Sequence, residues 1–303
     1  ATFIVSSIYR RARVLHCRDE AEKLFSQYLK VQEMRCWRYE PRVSGKTRRP
    51  DYLVRACREI LCFDLKTFNR TTQGDKIGGP SDPYRPIREK IKQLSKQFSQ
   101  FKECCCGVLY DAGTRSAHLR GPGIVMAAML GDIGLEYCVD WQTGQTTTAN
   151  PVMGFTNRGK MIDYKRMEPQ NTTIAALLVL ERFPLGQRTV AVKAGRMERE
   201  LGRNFTDIEF DSFLRASAHD IERTALRISV YENPYARRPL PRHFFMGPYD
   251  QRFGPDGGQI TRVFVGDQLA TLERDEHEFG LDLGPFALLI TKTKPPADVS
   301  ETQ

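Results

Sequence analysis

This chain of 303 residues has few of the features that assign a protein quickly. It lacks any apolar run near the roughly 20 residues that a membrane helix requires. TIAALLVL, residues 173–180, falls well short, so no membrane crossing is expected. Eight cysteines, at 17, 36, 57, 62, 104, 105, 106 and 138, show neither the CxxC pairs of a zinc site nor the regularity of a disulfide framework. A reducing, intracellular setting is expected, cytoplasmic with nucleoid or nuclear association open. His16, His118, His219, His243 and His277 have no HxH or HxxxH spacing and give no Ser/His/Asp arrangement. GDKIGGP at 74–80 lacks the GK[ST] ending of a phosphate-binding loop and reads as a loop flanking a site. The first 18 residues, with no acid before Asp19, have the composition of a transit peptide but no secretory apolar core. No internal repeat is apparent.

What the chain does have is positive charge. Lys and Arg total 46 against 37 Asp and Glu, a formal +9 with a pI near 9.2. Such a balance favours polyanionic partners, DNA or RNA first among them.

Along the chain, Ala21, Leu24, Phe25, Tyr28 and Leu29 recur at helical spacing after Asp19. MRCWRYE reads as a strand running into a basic loop before Pro50 and Asp51. DYLVRA and ILCFDLKTF then read as a hairpin turning at 57–59. In the second strand Ile60, Cys62, Asp64 and Lys66 share one face, and Leu61, Phe63, Leu65 and Thr67 the other, so both faces are covered. At Pro86 a second amphipathic helix begins, with Ile87, Ile91, Leu94, Phe98 and Phe101 as its stripe and a basic outer surface. CCCGVLYDAG follows as a strand whose cysteines act as small buried hydrophobes. Strands are also expected at GLEYCVDW, TTIAALLVLER, ALRISVYE and ITRVFVG. Helices are expected at 120–131, near DIEFDSFLRASAHDIER and at KAGRMERELGR, with GPDGGQ at 254–259 as a turn. The whole predicts an α/β fold in one elaborated domain over 1–291, with a core motif region at 19–112, an elaboration at 120–291 and a polar tail at 292–303.

Asp64 and Lys66 pose an electrostatic problem on a buried strand, since ionised groups there need a partner, a metal or solvent. If the hairpin closes as drawn, Asp51 at the start of one strand approaches Asp64 near the end of the other. Two close carboxylates repel unless one is protonated or a cation lies between them, and hard oxygen ligands suit Mg²⁺ or Mn²⁺. The other reading of this segment is an ordinary hairpin with a local ion pair.

Pro50-Asp51, twelve residues, then Asp64-Leu65-Lys66 resembles the PD-(D/E)xK motif of the restriction-endonuclease-like nuclease superfamily. The order helix, three strands, helix, strand over 19–112 is similar to that family's core, a central mixed sheet flanked by helices. The resemblance implies phosphodiester hydrolysis in DNA, with Asp51 and Asp64 binding Mg²⁺ or Mn²⁺ and Lys66 acting on the attacking water. Many members add a Glu from the first helix; here that is Glu22, which borders the inward face and is preferred to Glu20 and Glu33. Some place a Lys or Gln on the following helix, which here gives Lys90 and Gln97. Gln97 is followed four residues later by Phe101, a departure from the QxxxY pattern of the recombination-nuclease branch. RNA stays open as a substrate, and a homodimer or larger complex would ease cutting of both strands. A second reading is a non-catalytic nucleic-acid-binding or assembly module that keeps the fold.

Residues 231–253, rich in Arg, aromatics and Pro, have two readings of equal weight: a substrate surface using Arg237, Arg238 and Arg242, or an ordered loop packed on the core.

Overall fold

The computed structural model describes residues 19–32, 34, 37–41, 46–56, 59–68, 82–112, 119, 121–136, 143, 152–155, 158–256 and 259–280. The first 18 residues, the GDKIGGP loop and the tail at 292–303 lie outside them.

Helix α1 (Glu20–Val31) buries Ala21, Leu24, Phe25, Tyr28 and Leu29, the stripe seen in the sequence. Asp19 at its N-cap position makes no cap bond; its Oδ2 instead accepts from Thr67 Oγ1 at 2.8 Å. Strands β1 (Trp37–Tyr39), β2 (Tyr52–Ala56) and β3 (Glu59–Phe68) pair antiparallel in succession. Helix α2 (Arg85–Phe98) starts with Pro in its first turn and sets Ile87, Ile91, Leu94 and Phe98 against the sheet. It returns the chain to β4 (Cys104–Asp111), which runs parallel to β3. Residues Cys104 to Tyr110 are all buried, as befits a strand with neighbours on both sides and cover on both faces.

Helix α3 (Pro122–Leu130) is apolar all round and buried. Two small ribbons follow, β5 (Ile133–Glu136) with β6 (Val152–Phe155) and β7 (Ile162–Asp163) with β8 (Glu168–Pro169). The strand expected at GLEYCVDW is thus reduced to β5 within the described residues. The chain then re-enters the main sheet as β9 (Ile174–Phe183), parallel to β4. Helices α4 (Leu185–Leu201), α5 (Asp207–Ala216) and α6 (Ala218–Ile221) lead to β10 (Ala225–Glu232), antiparallel to β9. Helix α4 begins eight residues before the expected KAGRMERELGR. β11 (Gln251–Asp256), β12 (Gln259–Val265) and α7 (Asp267–Glu278) complete the chain. Neither β11 nor α7 was expected: Gly254 and Pro255 disguise the first as a turn, and the second is strongly charged.

The result is an α/β fold around one mixed eight-stranded sheet, ordered β1-β2-β3-β4-β9-β10-β11-β12. Against one face, α1 and the segment carrying Phe244 and Phe245 pack on Val54, Leu61, Phe63 and Val108. Against the other, α2 and α3 pack on Cys62, Phe68, Cys105 and Leu109. The loop before β11 is held by its own core: the Asp250 carboxylate accepts from Ile228 N at 2.8 Å, Gly247 N at 2.7 Å and the Tyr28 hydroxyl. Among the described residues no helix is long and apolar enough to cross a membrane.

Candidate active site

The hairpin register puts Tyr52 opposite Phe63, so Asp51 and Asp64 occupy the next rung. Asp51 follows buried Pro50, and its Oδ2 accepts from Leu65 N at 2.6 Å. That bond aims the carboxylate across the β2–β3 seam toward Asp64. Asp64 is 3 % exposed, and Lys66, on the same strand face, forms an ion pair with its Oδ2. Apart from that ammonium, Asp64 Oδ2 is buried with no hydrogen-bond partner.

Burial, then the charge of Asp64, pushes the Asp51 carboxyl up to about 7, against the lowering pull of Leu65 N–H and Lys66. A buried carboxylate pair with one nearby cation holds a proton because two negative charges are not otherwise balanced.

Asp64 and Lys66 alternate onto the sheet face covered by α2, and Lys90 of that helix comes to the same place. Its Nζ lies 5.6 Å from the centre of the Phe68 ring, two residues beyond Lys66. Burial and the Lys66 charge both lower the Lys90 ammonium from its usual range. Gln97 lies on the same flank of α2 but acts on the backbone: its Nε2 donates to Arg49 O at 2.5 Å, two residues before Asp51.

Glu22 does not join this cluster. Helix α1 covers the opposite sheet face, and burial, then a hydrogen bond with the Glu22 carboxylate, raises the Tyr39 hydroxyl. Among the described residues no three His, Cys, Asp or Glu side chains converge closely enough to hold a metal. Arg237, Arg238 and Arg242 are exposed and lie elsewhere. Pro239 O is 3.8 Å from Cys104 Sγ at the start of β4, whereas Asp64 is opposite Gly107. Three strand residues separate those rungs, about 10 Å. Here the ordered-loop reading of 231–253 fits better, since Phe244 and Phe245 are buried and Arg252 donates to Phe244 O at 2.7 Å.

Sequence reasoning missed the clasp that frames Asp51. Thr47 N donates to Gln100 Oε1 at 3.0 Å, Gln100 Nε2 donates to Thr47 Oγ1 at 2.6 Å, and Arg48 donates to Lys96 O. The signal available was KTRRP, a cationic run placed just before Asp51 and able to meet the carbonyl end of a helix.

No family model matches this chain, and no curated protein or solved structure matches it either.

Proposed function

We propose that this chain is a metal-dependent nuclease hydrolysing phosphodiester bonds in DNA, with a PD-(D/E)xK-type site. The observation that carries the reading is the meeting of Asp51, Asp64 and Lys66 at one seam of a buried hairpin, where two carboxylates and an ammonium are costly to keep. The order α1, antiparallel β1 to β3, crossover α2 and parallel β4 supports likeness to the restriction-endonuclease-like core.

Asp51 and Asp64 fit Mg²⁺ or Mn²⁺. Both are hard oxygen donors, the buried Oδ2 of Asp64 has only the Lys66 ammonium against it, and Asp51 holds a proton beside Asp64 as a carboxylate pair does without a cation between its members. A divalent cation held by Asp51 and Asp64 would supply charge stabilisation at a phosphoryl oxygen and would acidify an attacking water. Asp51 is aimed by Leu65 N–H, and Lys66, beside Asp64, would orient the attacking water. With Glu22 held at Tyr39, the proposal rests on Asp51 and Asp64 as the protein ligands.

A non-catalytic nucleic-acid-binding or assembly module is the second reading, favoured by the Lys66–Asp64 ion pair, which closes the carboxylate in this state. The two are separated by incubating the protein with supercoiled plasmid, single-stranded circular DNA and labelled RNA in Mg²⁺, Mn²⁺ or EDTA. The nuclease reading expects cutting of DNA that EDTA abolishes. Binding to every substrate with no cutting in either metal would favour the module. Conversion of plasmid directly to linear product, with second-order dependence on protein, would mark a dimer.

A further inference from the structure

Some exposed cations of the C-terminal half are neutralised, as in Arg182 with Glu20, Lys193 with Asp220, Arg199 with Glu278 and Arg203 with Glu209, while Arg237, Arg238 and Arg242 are exposed with no ion pair among the described residues. Around α2, Arg85 is paired with Glu89 and Arg88 with Asp82 and Asp132, but beyond Glu89 and before Glu103 the cations gather. Residues 46–51 and 90–102 hold seven Lys and Arg with Asp51 as their sole acid.

Two of the seven have a structural duty: Lys46 and Arg48 donate to Gln100 O and Lys96 O, satisfying carbonyls at the end of α2. Lys90 belongs to the site already described. That leaves Arg49, Lys92, Lys96 and Lys102, which are exposed and have no ion-pair partner among the described residues. Like charges gathered with few counter-acids repel one another, and a polyanion laid over them relieves that repulsion. Lys160 adds to the field, its ammonium lowered by burial and then by Lys92.

The placement is also rigid. The clasp between 46–49 and α2 fixes Arg49 two residues from Asp51, and Gln97 Nε2 holds the Arg49 carbonyl. The 14 residues of α2 span about 21 Å, the axial length of about six nucleotides of one strand.

We infer that the phosphodiester backbone of a nucleic acid runs over the outer face of α2 and the strap 46–49, held by Arg49, Lys92, Lys96 and Lys102 on its way to Asp51 and Asp64. This rests on the nuclease reading for its destination and on the unpaired charge for its course. Arg237, Arg238 and Arg242 form the rival basic surface and serve as the internal comparison.

The test is fluorescence anisotropy in EDTA with a labelled 30-base-pair duplex and a single strand of equal length, over a salt series. Wild type is compared with R49Q/K92Q/K96Q/K102Q and with R237Q/R238Q/R242Q. Removing the cation that neutralises one phosphate flattens log K against log salt by about 0.9 for duplex and about 0.7 for single strand. The α2 variant is expected to flatten the slope by about 2 to 4, and the loop variant to bind within about twofold of wild type. The four α2 substitutions are at exposed side chains, and R49K/K92R/K96R/K102R, which keeps the charge, is expected to restore the slope whatever the packing. An unchanged slope in the glutamine variant, a larger loss in the loop variant, failure of the charge-keeping variant to restore the slope, or no binding by wild type would overturn the inference. Binding through α2 without metal-dependent cutting would keep the track and sink the nuclease reading instead; cutting with α2-independent binding would do the reverse.

Discussion

Asp51 is the residue whose behaviour is most open to measurement. Its folded pKa, about 7, stands above the ordinary aspartate value of 3.8. Between those values the unfolded chain ionises Asp51 while the folded chain keeps the proton. Unfolding then releases a proton, and stability falls as pH rises through the window, by an order of about 2–4 kcal/mol. Metal-free protein in EDTA is therefore expected to resist urea better at pH 5 than at pH 8, and Asp51→Asn to lose most of that difference. An Asn variant with the wild-type pH dependence would show that the carboxyl titrates elsewhere. The approach of Asp51 to Asp64 was legible in the sequence because hairpin register is local, but the rung was not: the turn was expected at 57–59, whereas Glu59 belongs to β3 opposite Ala56, which pairs Tyr52 with Phe63 and leaves Asp51 facing Asp64. Nor was the place of Glu22 legible. Its spacing from Phe25 and Leu29 put it beside the inward face of α1 correctly, but that face covers the side of the sheet away from Asp64, and Tyr39 competes for its carboxylate.

At the scale of elements, α2 does two jobs. Its apolar stripe seats it on Cys62, Phe68 and Leu109, and its C-terminal carbonyls and glutamines hold the strap that presents Asp51. Gln97→Ala removes one exposed hydrogen bond and is expected to cost under about 1.5 kcal/mol by denaturant unfolding. Its effect on cleavage is expected to be larger, about ten- to hundredfold, because a small displacement of a metal-holding carboxylate is amplified in rate. Equal rates for the variant and wild type would reduce the strap to a stability device. Amphipathic α1 and α2 and the two-sided strands β3, β4 and β9 were readable from periodicity, since each has a clean apolar pattern. β11 was hidden by Gly254 and Pro255, and α7 by a charged sequence in which Leu269 and Leu272 are the only buried apolar side chains. The path of the loop carrying Arg237, Arg238 and Arg242 depended on distant partners, Phe63 and Tyr28 for Phe245 and Thr172 for Arg237 N, which no local pattern encodes.

For the whole molecule, the decisive feature is that β9 enters the sheet beside β4. The motif region 19–112 carries Asp51, Asp64 and Lys66, yet β4 borders β9 along its length and Phe245 from the far half meets both Phe63 and Tyr28. A fragment of 19–112 would expose a long apolar edge at β4 and lose part of the α1-side core. It is expected to be insoluble or unfolded by circular dichroism, whereas 19–280 folds cooperatively. A soluble, cooperatively melting 19–112 would mean that the second half is an appendage. The order of strands across β4, β9 and β10 was not legible, because pairing between elements forty or more residues apart is set by packing of both faces and leaves no short-range trace.

The most direct measurement is nicking of supercoiled plasmid in Mn²⁺ by wild type, Asp64→Ala and Lys66→Ala, at concentrations matched for folded protein. A site built from Asp51, Asp64 and Lys66 predicts metal-dependent nicking by wild type and a loss of at least about a hundredfold in each variant. Undiminished nicking by both variants would place the chemistry elsewhere on the chain, and the buried hairpin would be no more than a hairpin.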